Sequence, residues 1–278
     1  MNDISLVAPT GRILGLLGKN GAGKTTLFHS ILQFITYEGQ ITWNQQPLTE
    51  KTYDQIGYLP EERSLITKLT VYEQVKYLAN LKNMNAKKVK EELPRWLERL
   101  QVRGKATDKI SKLSKGNQQK IQLICTLIHR PKLIILDEPF SGLDPVNVEI
   151  LRKTILAEKK RGATIIFSDH NMNSVESLCD DLALIHRGKL KLQGPIQVVR
   201  ESFGETRILL RTSWSLAQLQ ALPHVLSVEI EQDHYKLIID DPQFGPEIYA
   251  AVSQGQFLKG FYQQPPTLTE IFKQEVEA

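Results

Sequence analysis

The stretch that most restricts what this chain can fold into is Gly18-Lys19-Asn20-Gly21-Ala22-Gly23-Lys24-Thr25, which fits the spacing G-x-x-x-x-G-K-[ST] in full. The apolar run at residues 12–17 before it reads as a buried strand, and residues 24–34 after it read as a helix. A glycine-rich turn between strand and helix lets backbone N–H groups point inward at a helix N-terminus, where the helix dipole favours an anion. Lys24 can reach the β- and γ-phosphates of a nucleotide, and the Thr25 hydroxyl can bind Mg²⁺. A chance match to the whole pattern in a chain of this length has a probability on the order of 1%.

A phosphate-bound cation also needs a carboxylate at the end of a neighbouring strand. Leu133-Ile134-Ile135-Leu136-Asp137-Glu138 supplies one. Asp137 is the candidate for metal contact, through water, and Glu138 is placed to polarise an attacking water. An apolar strand ending in two acids is weak evidence alone and strong beside the glycine loop.

The rest of the pattern divides in two, as a length of 278 residues allows at about 150 residues per domain. Strands at 41–43 and 56–59 follow the first helix. Three helical stretches come next: one opened by the capping box Thr70/Glu73, one carrying Val89, Leu93, Trp96, Leu97 and Leu100 that Pro94 must kink or divide, and one over 115–129. Strand 133–136, helix 145–160 with Asp144 as N-cap and Gly162 closing it, and strand 163–167 restore a βαβ alternation and so a parallel sheet. After Phe203-Gly204 the pattern changes. Strands at 207–211, 225–231, 235–239 and 257–262, with short helices at 215–222 and 246–253, give the β-α-β-β-α-β ferredoxin-like order. A last helix opens on the capping box Thr267/Glu270.

Composition excludes several classes. Apolar residues at 41% and charged residues at 24% are ordinary globular values, so collagenous, low-complexity and disordered chains drop out. Two cysteines, Cys125 and Cys179, make no disulfide scaffold and fit a reducing cytosol. No apolar run approaches the ~20 residues of a membrane span, and no signal peptide is visible. The net charge of +4 is uneven: residues 82–120 hold twelve basic and four acidic side chains. That segment reads as a solvated helical face, with nucleic acid or an anionic membrane surface as the alternative.

Three further segments complete a family pattern. Leu113-Ser114-Lys115-Gly116-Asn117-Gln118-Gln119 lies upstream of Asp137, Ser141-Gly142-Leu143-Asp144 follows it, and His170 follows strand 163–167. With these, most of residues 1–200 resembles the nucleotide-binding subunit of an ABC transporter. The resemblance implies an α/β fold, a P-loop NTPase core over residues 1–203 with a helical subdomain at about 64–130, followed by a small α+β domain over 204–278. It implies that Gly18, Asn20, Gly21, Ala22, Gly23, Lys24, Thr25 and Thr26 hold ATP, and that Thr25, Asp137 and Glu61 serve Mg²⁺. Glu138, His170 and Glu61 take catalytic roles, His170 as the histidine that contacts the γ-phosphate. Ser114 and Gly116, at a helix N-terminus, face the γ-phosphate bound by a second protomer, and Asp144 lies in the loop across that interface. The other five histidines are left without a role.

Three departures from the family pattern stand out. Glu61 occupies the place of the family's Q-loop glutamine and adds a charge. The signature reads Ser-Lys-Gly-Asn in place of Ser-Gly-Gly-Gln, keeping Ser114 and Gly116. Together with Pro60-Glu61-Glu62-Arg63 and Thr267-Leu268-Thr269-Glu270-Ile271-Phe272, these look like the bacterial subgroup typified by sodium-extrusion ATPase subunits, which pairs with ABC-2-type membrane proteins. The third is the lack of an aromatic residue among the seventeen before Gly18 to stack on adenine. Either adenine finds another platform or Met1 is an internal start on a trimmed chain, and the second is the expectation. The resemblance thus implies an ATP-hydrolysing subunit on the cytoplasmic face of the membrane. It would dimerise head to tail on ATP, with itself or a second ATPase subunit, and energise a separate permease, in the export direction. Nucleic acid is not an expected partner, since ABC ATPases of that kind usually carry two ATPase units or a long coiled coil. A regulatory module without turnover is argued against by Glu138 and His170.

Overall fold

The computed structural model describes Met1 and residues 3–277. It falls into two units that part after Gln193. In the first, β1 (Ile13–Leu17) leads into α1 (Lys24–Ile31), and a two-strand ribbon of β2 (Thr42–Trp43) and β3 (Gln46–Pro47) follows. Then come α2 (Glu50–Tyr53), β4 (Ile56–Leu59), α3 (Val71–Asn80), α4 (Ala86–Arg99), α5 (Lys115–Leu127), β5 (Leu133–Asp137), α6 (Pro145–Lys160) and β6 (Thr164–Ser168). α7 (Met172–Leu178) and β7 (Asp181–His186) follow, and the unit ends within β8 (Lys189–Pro195).

Six strands form one sheet in the order β4-β5-β6-β1-β7-β8, and the four pairings from β4 to β7 are parallel. Every residue of β1 is buried, which is why it reads as an unbroken apolar run. Leu27, Phe28 and Ile31 of α1 pack on Leu14, Leu16, Ile135 and Ile166. Register aligns the strand ends: Leu16 lies opposite Ser168, and Ser168 opposite Asp137. The loops after β1, β5 and β6 therefore open on one rim, the usual ligand crevice of a parallel sheet.

Several local expectations shift. The first helix stops at Ile31 rather than 34, because Gln33 turns left-handed (φ 56°) and the Phe34 amide returns to the His29 carbonyl in a Schellman closure. The strand expected at 41–43 pairs only with β3, around Asn44 and Gln45 at φ 50° and 62°, and does not join the main sheet. β6 lies one residue beyond 163–167. Residues 171–203, where the sequence pattern predicted no element, form α7, β7, β8 and a further short helix.

α3, α4 and α5 pack on one another. The Thr70/Glu73 box closes as expected, with reciprocal bonds of 2.8 and 3.2 Å. α4 runs unbroken through Pro94, held by buried Val89, Leu93 and Trp96 on both sides of it. Part of the basic segment turns inward. Lys82 Nζ donates to the Tyr53 carbonyl at 2.6 Å, Lys120 Nζ to the Gln101 carbonyl at 3.2 Å, and Arg99 pairs with the buried Glu158 at 3.1 Å. Lys120 is buried and Lys82 half-buried by these contacts, whereas Arg99 stays exposed beside Glu158.

The second unit contains α8 (Ile196–Glu201), β9 (Arg207–Arg211), α9 (Leu216–Gln220), β10 (Val225–Glu231), β11 (His234–Ile239), α10 (Gly245–Ser253), β12 (Gly260–Gln264) and α11 (Leu268–Glu277). Its antiparallel sheet has the order β10-β11-β9-β12, with Leu210, Leu219, Val228, Leu237, Ile248 and Val252 in its core. This is the strand order the split β-α-β pattern requires. The last strand starts at Gly260, not 257. Phe257 is 90% exposed, and the register is set by Phe261 opposite Leu210, packed on the core. The units part at Gln193/Gly194 rather than at 203/204 because α8 is tied to its own unit: Arg200 donates to the carbonyls of Pro265 and Pro266.

Candidate functional site

The glycine loop sits between β1 and α1. Gly23 holds φ 113°, a conformation side chains rarely adopt, and a Cβ on Gly18 would fall 2.5 Å from the Ile185 carbonyl oxygen. The tight turn and close packing both demand glycine. Lys24 is buried, and its Nζ donates to the Gly18 carbonyl at 2.7 Å and more weakly to Lys19 at 3.4 Å. The ammonium is thus folded back over the loop that would enclose a phosphate. Thr25 and Thr26 are exposed at the same helix start, as are Asn20 and Gly21 in the loop, while Ala22 packs into the core.

Thr25 Oγ1 donates to Asp137 Oδ2 at 3.2 Å, joining the loop to the end of β5. The other Asp137 oxygen accepts from Ser168 Oγ at 2.6 Å. The Glu138 amide is shared between the Ser168 carbonyl and hydroxyl, both at 3.1 Å. Glu138 is buried and holds φ 47°, a strained value for a side chain of this kind. Its Oε2 lies 3.1 Å from Nδ1 of the exposed His170, so an ionised Glu138 requires the proton on Nδ1. Ser168 was missed by sequence reasoning. The visible signal was its place two residues before His170 on a strand ending level with Asp137.

Glu61 is exposed beside this group. Partial burial, then Glu138 and Asp137, push its carboxyl above the usual range against the pull of Lys24. Tyr58 below it is pushed up to about 12 by burial, Asp137 and Glu61. The loop that carries Glu61 is fastened from α5, where Gln122 Nε2 donates to the carbonyls of Pro60 and Glu62 at 3.2 Å each. Gln119, three residues earlier on α5, donates to the Pro139 carbonyl just after Glu138. Neither glutamine was singled out in the sequence. Their spacing puts them on one helical face.

Ser114, Gly116 and Asp144 form a separate group. Ser114 caps α5, accepting from the Asn117 amide and from Asn117 Nδ2 at 2.9 Å. Gly116 lies against Asn147 and Leu143, and Asp144 caps α6 through the Asn147 amide at 3.0 Å. Among the described residues, no hydrogen bond links these three to Lys24, Thr25, Asp137, Glu138 or His170. The Lys24 group and the Ser114 group are thus two separate helix starts without a direct hydrogen bond between them among the described residues.

A parallel sheet with a glycine loop after one strand, a returning lysine, and two acids at the end of β5, one strand removed in the sheet, defines a P-loop nucleoside-triphosphate-binding ATPase. The ABC transporter family matches residues 1–141, and the C-terminal domain of DrrA1-3-like ATP-binding proteins matches residues 194–276. The chain is 41% identical to the uncharacterized ABC transporter ATP-binding protein YhaQ of Bacillus subtilis, over all of this chain and 94% of that protein. A solved ATP-binding subunit of an ABC transporter superposes with TM-score 0.67 at 31% identity, covering 73% of this chain and 86% of that one. A second, cbiO1 from Clostridium perfringens, described as part of the ABC transporter complex cbiONQ, gives 0.62 at 26% identity over 70% and 82%. The chain belongs to the ABC transporter family of ATP-binding subunits. It is an ATPase whose hydrolysis serves transport, and membrane permease subunits are the partners of that family. No helix among the described residues is long and apolar enough to cross a membrane.

Proposed function

We propose that the chain hydrolyses ATP in a head-to-tail dimer, at the cytoplasmic face of a membrane, and drives an exporting permease. The observation that carries this is the separation of the two helix starts. The Lys24 group and the Ser114 group each offer half of a phosphate enclosure, and only a second protomer brings a Ser114 group to the first. In this reading the 18–26 loop holds the triphosphate, Glu138 activates water, and His170, oriented by Glu138, meets the γ-phosphate. Asp144 shapes the crossing loop. Glu61, on a loop anchored to α5, links the site to the permease. Closure on ATP and opening after hydrolysis then move the permease.

The oxygen donors Thr25 Oγ1 and Asp137 Oδ2, 3.2 Å apart, fit Mg²⁺. Among the described residues no three His, Cys, Asp or Glu side chains converge as a protein-only metal cage, which suits a cation that keeps waters and substrate phosphates as ligands. Bound there with Glu61 nearby, Mg²⁺ would neutralise phosphate charge. The subgroup that pairs with ABC-2-type permeases is supported by Glu61, Lys115 and residues 267–272, and export is the direction associated with it.

Subunit complementation tests the composite site. Lys24→Ala chains and Ser114→Arg chains are each expected to be inactive, whereas an equimolar mixture regains ATPase activity through mixed dimers with one intact site. No recovery in the mixture, with both chains folded, would overturn the shared site.

Ser168→Ala should leave the fold intact while removing the hydroxyl's bond to Asp137 and its share of the Glu138 amide, which keeps its bond to the Ser168 carbonyl. Losing a hydrogen bond to a charged group costs about 1.5–3 kcal/mol, so kcat should fall about 10- to 100-fold. Steady-state kinetics with the KM for ATP nearly unchanged would mark Ser168 as a positioning residue. An unchanged kcat would remove it from that role.

A further inference from the structure

The second unit leaves one sheet edge open in a form that matches a second copy of itself. β10 ends the strand order, so among the described residues nothing pairs along its outer side. The β10–β11 hairpin closes on a two-residue loop, with Glu231 opposite His234 and Gln232 at φ 52°. The turn bond across that loop directs the Glu231 backbone toward β11, and alternation directs Glu229 the same way. Val228 and Ile230 then point their N–H and C=O groups outward.

Open edges are normally guarded by proline or by charged side chains. β10 has no proline and no lysine, its register shift against β11 is confined to Val225/Ser227 at the start of the strand, and its two acids are engaged by their own sheet. Lys236 Nζ lies 2.6 Å from Glu229 and 3.3 Å from Glu231, and Arg207 lies 3.7 Å from Glu231. The two apolar side chains flanking buried Val228, Leu226 and Ile230, are 68% and 64% exposed.

We propose that β10 pairs antiparallel with β10 of a second copy about a two-fold axis through Val228, joining two four-stranded sheets into one. In this register Val228 faces itself and exchanges two hydrogen bonds and Ser227 meets Glu229, while Leu226, at the register shift that ends the regular pairing, lies toward Ile230. Apolar residues cover one another and no like charges stand directly opposed. Moving the axis to Glu229 would set two carboxylates face to face. An edge this short buries less than the about 1,200 Å² of a standard stable interface, so the contact is weak and is best read by trapping. It needs no nucleotide, which separates its test from that of the composite ATP site.

Ser227 and Glu229 of the partner form a pair without mutual backbone bonds, with Cα atoms about 4.5 Å apart, inside the span a disulfide bridges. Full-length Ser227→Cys and Glu229→Cys chains, mixed without nucleotide and oxidised with copper phenanthroline, should give a covalent dimer on non-reducing gels. Either variant alone, and the wild type, should give none. Adding Ile230→Lys to both chains, at an exposed position that leaves the core intact, should abolish the cross-link. No dimer in the mixture, equal dimer in each variant alone, or a cross-link insensitive to Ile230→Lys would each overturn the proposal.

Discussion

Glu138→Gln is expected to lower ATP turnover by about 10²–10⁴-fold, the range a general base contributes, while ATP binding persists. The substitution keeps the shape of the side chain. Its amide oxygen can still accept from His170 Nδ1, now 3.1 Å from Glu138 Oε2, and the backbone bonds to Ser168 are untouched. What disappears is the carboxylate's capacity to take a proton from water. One negative charge also leaves a site that holds Asp137 and Glu61, whose own carboxyl is pushed upward by Glu138, so affinity for a polyanion should hold or rise. Phosphate release under single-turnover conditions reads the first effect. Sedimentation velocity with ATP reads the second, as a dimer that accumulates because it no longer hydrolyses its way open. Wild-type phosphate release from this variant would end the assignment of Glu138 as base.

The residues this prediction relies on were legible in the sequence because their chemistry is local. A glycine loop, an apolar strand ending in Asp137-Glu138, and a histidine after a strand are each recognisable within a few residues. Ser168 was not, because its importance comes from strand register. Only the alignment of β5 with β6 puts its hydroxyl on Asp137 and under the Glu138 amide. Gln119 and Gln122 read as ordinary polar helix residues until α5 is seen against the loops after β4 and β5. The basic segment keeps most of its cations at the surface, as its sequence suggests, but a few are tied down locally. Lys82, Arg99 and Lys120 counted toward a surface charge, yet each donates to a partner within its own unit. In the second unit the alternation of elements was visible, but the start of β12 was not. Phe257 looks like a strand residue, and only pairing with β9 excludes it. Periodicity locates elements, and register decides which side chains meet.

Lys24→Ala should remove nucleotide binding itself, with ATP affinity falling about 100-fold or more, since hydrogen bonds to charged groups are worth about 1.5–3 kcal/mol each and the lost cation also faces phosphate charge. The ammonium is buried. It sits under the loop, bonded at 2.7 Å to the Gly18 carbonyl, and its removal strips that carbonyl of its donor as well. Lys24→Arg should not rescue the loss, because a planar guanidinium cannot occupy a pocket shaped for a point charge on a flexible stem. Isothermal titration with a non-hydrolysable ATP analogue measures the fall, and a thermal melt separates it from loss of fold. The contrast with Glu138→Gln makes the pair decisive. One variant should bind without turning over, and the other should neither bind nor form the ATP-dependent dimer. If Lys24→Ala bound ATP with wild-type affinity, the lysine would be a structural tie of the loop, and the triphosphate would have to be held by backbone amides alone.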